Sequence, residues 1–307
     1  MARLGADRFD LDGSQTIKRG TTTMILVRSL RYLERKARQV RERLEANALS
    51  RSRGGKIFSV ADTISPADWE KVYQRPVVPV TAITSQIAKE LLALSSPGDV
   101  MLEAGCGSAG VSAQLALAGR RIELADFSEA ILQRARDLFV CSALPIPKLV
   151  LCDITKPLLW TDGAVDIVWS SGVLEHWTDK DLLPILAEMS RVSRRLVVSL
   201  VPSANSVFYR WGKKTAEDTN RWPYGREIPR ETMRPVFESA GIEVIFEKTI
   251  MPESSASFLA YIDNSIYSRA REWLDRLPDT DPLRKNQGYL LLTVGKVEDG
   301  DAKEADI

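Results

Sequence analysis

The stretch Val100-Met-Leu-Glu-Ala-Gly-Cys-Gly-Ser-Ala-Gly110 closes a short apolar run with Gly105-x-Gly107-x-x-Gly110. Glycines at this spacing let the backbone turn tightly and approach a ligand, and the helix that follows presents free N–H groups. The pattern alone also fits an ordinary tight turn. Glu103 sharpens it. A carboxylate two residues before the first glycine repels a pyrophosphate and suits a cationic ligand. Cys106, between the glycines, reads as a small space-filler and not as a nucleophile. About twenty residues on, Asp126 ends a second apolar run, where a carboxylate can accept both hydroxyls of a ribose. Asp153 closes a third run, Leu149-Val-Leu-Cys-Asp153-Ile154. A fourth continues as Ser170-Ser171-Gly172-Val173-Leu174-Glu175-His176. His176 is the chain's single histidine, and imidazole suits proton abstraction near neutral pH. It acts either as a general base or as a residue that orders its loop.

These residues need a scaffold that ends several strands on one edge. Val100–Ala104, Arg121–Ala125, Leu149–Cys152, Val165–Ser170 and Leu196–Val201 are short apolar runs. Helical periodicity lies between them over Glu129–Phe139 and Leu182–Val192. Buried strands separated by helices predict a parallel sheet of βαβ units. A helix is predicted to start at Ser65-Pro66, another to span Thr81–Leu94 and a third Arg230–Ala240. Strands are predicted over Ile242–Phe246 and Gly288–Val294. The expected fold is α/β: a Rossmann-like three-layer sandwich with a mostly parallel seven-stranded sheet, an antiparallel last strand and an N-terminal helical extension.

Composition narrows the function. Of 307 residues, 44% are hydrophobic and 27% charged, which excludes global disorder. Cys106, Cys141 and Cys152 show no C-x-x-C spacing and there is one histidine, so no metal site and no disulfide framework are expected. Cys141 and Cys152 read as core thiols. No run approaches the ~20 apolar residues that cross a bilayer, and no secretory signal is evident, so a cytoplasmic protein is expected, with peripheral membrane association left open. The net charge of +1 hides an asymmetry. Residues 18–56 hold twelve Lys/Arg against three Glu, so a basic arm precedes an acidic body.

Glu103-Ala-Gly105-Cys-Gly107-Ser-Ala-Gly110 resembles the first motif of class I S-adenosylmethionine-dependent methyltransferases, with the last glycine displaced by one. Asp126, Asp153 and the fourth-run ending Leu174-Glu175-His176 resemble the ubiquinone/menaquinone-type branch, as does Ala240-Gly241-Ile242 after a helix. The likeness spans roughly residues 80–250. It implies that Glu103, Gly105, Cys106, Gly107 and Gly110 surround the methionine part of the cofactor. It also implies that Asp126 and Phe127 meet the ribose, that Asp153 and Ile154 meet the adenine, and that Ser170 and Ser171 offer backbone groups to the amino-acid moiety. In that family the histidine at 176 mostly orders the loop. A nicotinamide-dependent oxidoreductase explains Asp126, but neither Glu103 nor the fourth-run segment. A non-catalytic methyltransferase-like binding module is a third reading.

The acceptor implied is a small molecule or lipid-like compound. Ser170-Ser171-Gly172-Val173 replaces the Asn/Asp-Pro-Pro-Tyr segment that suits a flipped base, so nucleic acid is disfavoured. Residues 205–230 read as an aromatic-rich loop inserted as a substrate cover, with Tyr209, Trp211, Trp222 and Tyr224 as candidate contacts. Trp69 and Tyr73 are candidate lid residues. The domain plan is an irregular or non-native extension over 1–23, a basic amphipathic helix over 24–56, a catalytic domain over 57–297 and an acidic tail over 298–307. The stripe Leu26, Leu30, Leu33, Ala37, Val40 and Leu44 makes residues 24–48 a partner-helix or membrane-surface contact. Starts at Met1 and at Met24 both stay open.

Overall fold

The computed structural model describes residues 66–72 and 81–297. Tyr73 and the expectations for residues 1–65 and 298–307 lie outside the described residues.

In chain order the elements are α1 (Pro66–Val72), α2 (Ala82–Ala93), β1 (Val100–Ala104), α3 (Gly110–Leu117), β2 (Arg121–Asp126), α4 (Glu129–Cys141), β3 (Lys148–Leu151) and β4 (Val165–Ser171). A 3-10 turn, Leu174–His176, leads to α5 (Asp179–Val192), β5 (Ser193–Pro202), α6 (Val207–Asp218), α7 (Arg234–Ser239) and β6 (Ile242–Ile250). After β6 come α8 (Pro252–Ser257), a second 3-10 turn (Phe258–Tyr261), α9 (Asn264–Arg276), α10 (Pro282–Asn286) and β7 (Leu290–Val297).

The sheet order is β3-β2-β1-β4-β5-β7-β6. The first five strands pair in parallel, and β7 runs antiparallel to both β5 and β6. The seven-stranded, mostly parallel sheet with an antiparallel last strand is the architecture expected from sequence. The order reverses at β1, between β2 and β4, and this is the switch point at which doubly wound sheets bind ligands beyond their strand ends.

Alternation along each strand divides the core in two. Met101, Leu124, Ile167 and Trp169 pack with the apolar faces of α2, α3 and α4. Leu102, Ala104, Val168 and Val197 pack on the other face with α5 and α7. Strands covered on both faces read as continuous apolar runs, which is why they stand out in the sequence. Helix α4 shows how local signals fix a boundary. Ser128 caps it by accepting the Ile131 N–H at 3.3 Å, and Ile131, Leu132, Ala135, Leu138 and Phe139 form its buried stripe.

Three differences from the sequence reading matter. Residues 205–230 are not one loop, because Val207–Asp218 is helix α6, capped by Ser206, whose Oγ accepts the Tyr209 N–H. Helix α7 starts at Arg234, not at residue 230, because Arg230 bridges to Ser203 at the end of the sheet. Strand β3 ends at Leu151, so Asp153 stands two residues past the strand. In addition, four helical segments fill 252–286 between β6 and β7, where periodicity assigns nothing. Most of them are a turn or two long, and α9 buries only Ala270 and Leu274, too few for a visible stripe.

That insertion packs on α6. Ala256, Leu259, Ala270 and Leu274 form one small core with Phe208. Tyr209, Ala216 and Trp222 form another with Phe258, Tyr261 and Tyr289. Gly212 permits the contact, since a Cβ there would lie 2.2 Å from the Phe258 carbonyl oxygen. Arg284 ties the insertion together through the Leu274 carbonyl, Glu253 and Asp279.

Candidate active site

The glycine loop leaves β1 at the switch point and enters α3. Gly105 has φ +78°, and Gly105 and Cys106 both donate their N–H to the Ala125 carbonyl, at 2.9 and 3.0 Å. A side chain at 105 has neither the backbone conformation nor the room, because its Cβ would stand 2.7 Å from Val173 Cγ2. The loop is thereby wedged between the ends of β2 and β4.

Two carboxyl groups are buried against it. Glu103 is 6% exposed and its Oε2 accepts the Ser112 hydroxyl at 2.6 Å, which fastens α3 to β1. Asp126 is 3% exposed, and its two oxygens accept the N–H of Gly107 and of Ser128, each at 3.1 Å. Burial raises both above the usual carboxylate range, and the charge of Asp126 raises Glu103 further. Cys106 is buried beside them and its thiol is also pushed up, so it stays protonated and inert.

The other expected cofactor contacts gather around the same edge. Phe127 is partly exposed just beyond Asp126. Asp153 Oδ1 accepts the N–H and hydroxyl of Thr155 at 2.9 and 2.7 Å, while Ile154 is buried in the core below. Ser170 is buried with its hydroxyl unpartnered, and Ser171 is half-buried at the end of β4. Helix α1 reaches this edge from outside, where Glu70 Oε1 accepts the Ser128 hydroxyl at 2.7 Å.

His176 lies in the 3-10 turn after β4. Its Nδ1 donates to the Arg226 carbonyl at 2.7 Å, so Nε2 is left as the acceptor, and Nε2 is buried without a partner. Burial lowers its pKa from the usual histidine value. The Trp69 ring meets His176 edge-on at 5.3 Å and stacks on Tyr224 at 6.4 Å, and Tyr224 meets Trp222 at 5.3 Å. Trp222 in turn contacts the fully buried Tyr209 at 6.3 Å. Four of the candidate acceptor residues therefore form one chain of rings. Trp211 is not brought into it and is 52% exposed on α6.

Sequence reasoning missed Glu227, Lys213, Phe258 and Tyr289. Glu227 Oε2 accepts the Tyr209 hydroxyl at 2.7 Å, and Lys213 lies 5.1 Å over the Trp222 ring and pairs with Glu217. The aromatic density of 205–230 was the available signal for the first two. Nothing local marks Phe258 or Tyr289.

Residues 102–196 match the family model of the methyltransferase domain. This stretch runs from β1 into β5 and holds the glycine loop and the strand-end carboxyls. No curated protein matches the sequence. Among solved structures, one described by the conversion of a disulfide bond into a thioacetal group during echinomycin biosynthesis is 16% identical, covers 78% of this chain and 90% of its own, and has a TM-score of 0.52. A chain from the complex of the Haloferax volcanii Trm112 methyltransferase activator with the putative methyltransferase is 20% identical, covers 70% and 88%, and has a TM-score of 0.50. Magnesium protoporphyrin IX methyltransferase from Synechocystis PCC 6803, crystallised with S-adenosylhomocysteine, is 15% identical, covers 75% and 92%, and has a TM-score of 0.48. The likeness to the two structures with TM-scores of 0.50 and 0.52 is one of fold, and residues 102–196 lie within it as the stretch that matches the methyltransferase domain model. Among the described residues, no helix is long and apolar enough to cross a membrane.

Proposed function

We propose that the chain transfers a methyl group from S-adenosylmethionine to a small-molecule or lipid-like acceptor. The observation that carries this reading is the pair of buried carboxyls, Glu103 and Asp126, against the glycine loop. A pyrophosphate would add negative charge where two acids are already hard to ionise, whereas a sulfonium offsets it. The donor set fits the cofactor.

S-adenosylmethionine, when bound, supplies a methyl carbon already activated by a positively charged sulfur. The protein's own residues bind and align. Asp126 keeps acceptor capacity on both oxygens for ribose hydroxyls while its bonds to Gly107 and Ser128 hold the loop and the α4 start in place. Asp153 and Ile154 meet the adenine, and Phe127 borders the ribose. Glu103 favours the cationic end by charge. Ser170 and Ser171, at the end of β4, offer groups to the amino-acid moiety. Trp69, Tyr209, Trp222 and Tyr224 exclude water above the reacting atoms. Support for a small-molecule acceptor comes from the structural neighbour of echinomycin biosynthesis. In this reading the basic segment 24–48 supplies a membrane-surface or partner-helix contact.

Thermal shift with S-adenosylhomocysteine and with NADH tests the cofactor. Stabilisation by S-adenosylhomocysteine alone is expected; stabilisation by NADH alone overturns the reading. Incubation with methyl-labelled cofactor and fractionated extract then reports the acceptor class, with label expected in small metabolites or lipid.

A further inference from the structure

Seven buried side-chain nitrogen or oxygen atoms lack a hydrogen-bond partner among the described residues, and they are not scattered. Trp169 and Ser170 stand on β4, and Ser199 is in register with Ser170 on β5. Glu175 and His176 follow β4, and Trp222 and Arg230 belong to the segment that covers them. Each such atom is costly when left unpaired. Trp169 belongs to the core on the opposite face of the sheet; the other six gather around the end of β4, and this marks where a ligand brings complementary groups.

Within this region two hydrogen bonds bring the segment that carries Glu227 against Glu175 and His176. His176 Nδ1 donates to the Arg226 carbonyl at 2.7 Å, and the Ile228 N–H donates to the Glu175 carbonyl at 2.8 Å. Glu227 lies between those two anchors. Its charge reaches Glu175, and both charges reach Tyr209 and Tyr289. Tyr209 satisfies one oxygen of Glu227, while Glu175 is 2% exposed with Oε2 unpartnered. Two cations face the pair, Arg230 toward Glu175 and Lys213 toward Glu227, and each is shared with a second acid, Asp179 and Glu217. Trp69 meets His176, the residue after Glu175, Trp222 contacts Tyr209, whose hydroxyl Glu227 accepts, and the Trp222 face already accepts the Lys213 ammonium. Glu175 stands two residues after Val173, which abuts the Gly105 position, so the pair borders the methyl-donor side of the loop.

We propose that Glu175 and Glu227 bind the acceptor by an ammonium group and take its proton, so that the reaction is N-methylation of an amine with an apolar body. The proposal rests on the methyltransferase reading above. Two acids at one buried position favour a cationic partner over a neutral hydroxyl, and aromatic faces add to that preference. The amine's proton moves to the Glu227 carboxylate, which frees the nitrogen lone pair. That pair bonds to the methyl carbon, the carbon–sulfur bond breaks, and its electrons neutralise the sulfonium. The product leaves as a methylated ammonium, and the Glu227 proton returns to solvent. His176 is a positioning residue in this scheme, since its bond to Arg226 holds Glu227 in place.

The test uses full-length protein saturated with S-adenosylhomocysteine. It is titrated calorimetrically with two matched pairs, phenethylamine against phenethyl alcohol and tryptamine against tryptophol. The amines are expected to bind at least about tenfold more tightly than the alcohols. Glu227→Gln should remove that preference and leave the S-adenosylhomocysteine affinity unchanged. Glu175→Gln reports on the same pair independently should Glu227→Gln disturb folding. Alcohols binding as tightly as amines, amines that do not bind, or Gln variants that keep the preference each overturn the proposal. Failure of the wild type to bind S-adenosylhomocysteine instead overturns the methyltransferase reading on which it rests.

Discussion

Val173 stands against Gly105 so closely that a Cβ at 105 would lie 2.7 Å from its Cγ2. The contact joins the loop after β1 to the segment after β4, and hence the cofactor side to the acceptor side. Gly105 also has φ +78°, so an alanine there meets both a clash and a strained backbone. Gly105→Ala is expected to cost about 1–3 kcal/mol of stability and to weaken S-adenosylhomocysteine binding at least about tenfold. Adding Val173→Ala should recover only the steric part. Urea denaturation and calorimetry of both variants check this, and a Gly105→Ala protein with unchanged affinity contradicts it.

Asp126 closes the loop through Gly107 and Ser128, and in the proposed function it also accepts the ribose hydroxyls. Asp126→Ala is expected to weaken S-adenosylhomocysteine binding by about 1–3 kcal/mol. Asp126→Asn keeps one acceptor oxygen and should fall between the two. An unchanged dissociation constant for Asp126→Ala removes the ribose assignment.

Stability should fall as pH rises through neutrality. Burial raises Glu103, Asp126 and Glu175, and it raises Glu227 to about 7. An acid whose folded pKa exceeds its unfolded value contributes stability at low pH and loses it as pH rises through the folded value. His176 is lowered by burial, so its contribution has the opposite sign and is lost only as pH falls below its ordinary range. The melting temperature of the cofactor-free protein is therefore expected to decline as pH rises from the ordinary carboxylate range to about 7, where Glu227 completes its loss. Glu227→Gln should flatten the part near pH 7. A melting temperature that climbs over this interval contradicts the account.

His176 ties the turn after β4 to the cover segment through Arg226. His176→Ala is expected to leave S-adenosylhomocysteine affinity intact and to loosen residues 220–230. Limited proteolysis at Arg221 or Arg226, faster in the variant than in wild type, is the readout. Equal cleavage rates argue against a tether.

Gly212 lets α6 press on the insertion that follows β6, at a backbone contact that cannot rotate away. Gly212→Ala should lower stability by about 2 kcal/mol or more and shift the fluorescence of Trp222, which packs against Phe258. Retained stability with an unshifted spectrum denies the cover its packing role.

The sequence by itself determined the parallel sheet, the glycine loop and its two flanking acids. Strands buried on both faces are continuous apolar runs, and the loop, Glu103 and the α3 start lie within a dozen consecutive residues. Local chemistry is written in local spacing. The antiparallel strand β7 was likewise readable as an apolar run, although its place between β5 and β6 was not. Only the tertiary structure decided what stands over the loop. Glu175 and Glu227 are fifty-two positions apart, and Tyr209 meets Phe258 and Tyr289 from three separate segments. The hydrogen bonds that join the Glu175 carbonyl to Ile228 and the His176 ring to Arg226, and the α6–insertion contact at Gly212, form only after the sheet has brought those segments side by side. No periodicity in a single stretch encodes a contact whose two halves are selected for each other across the fold.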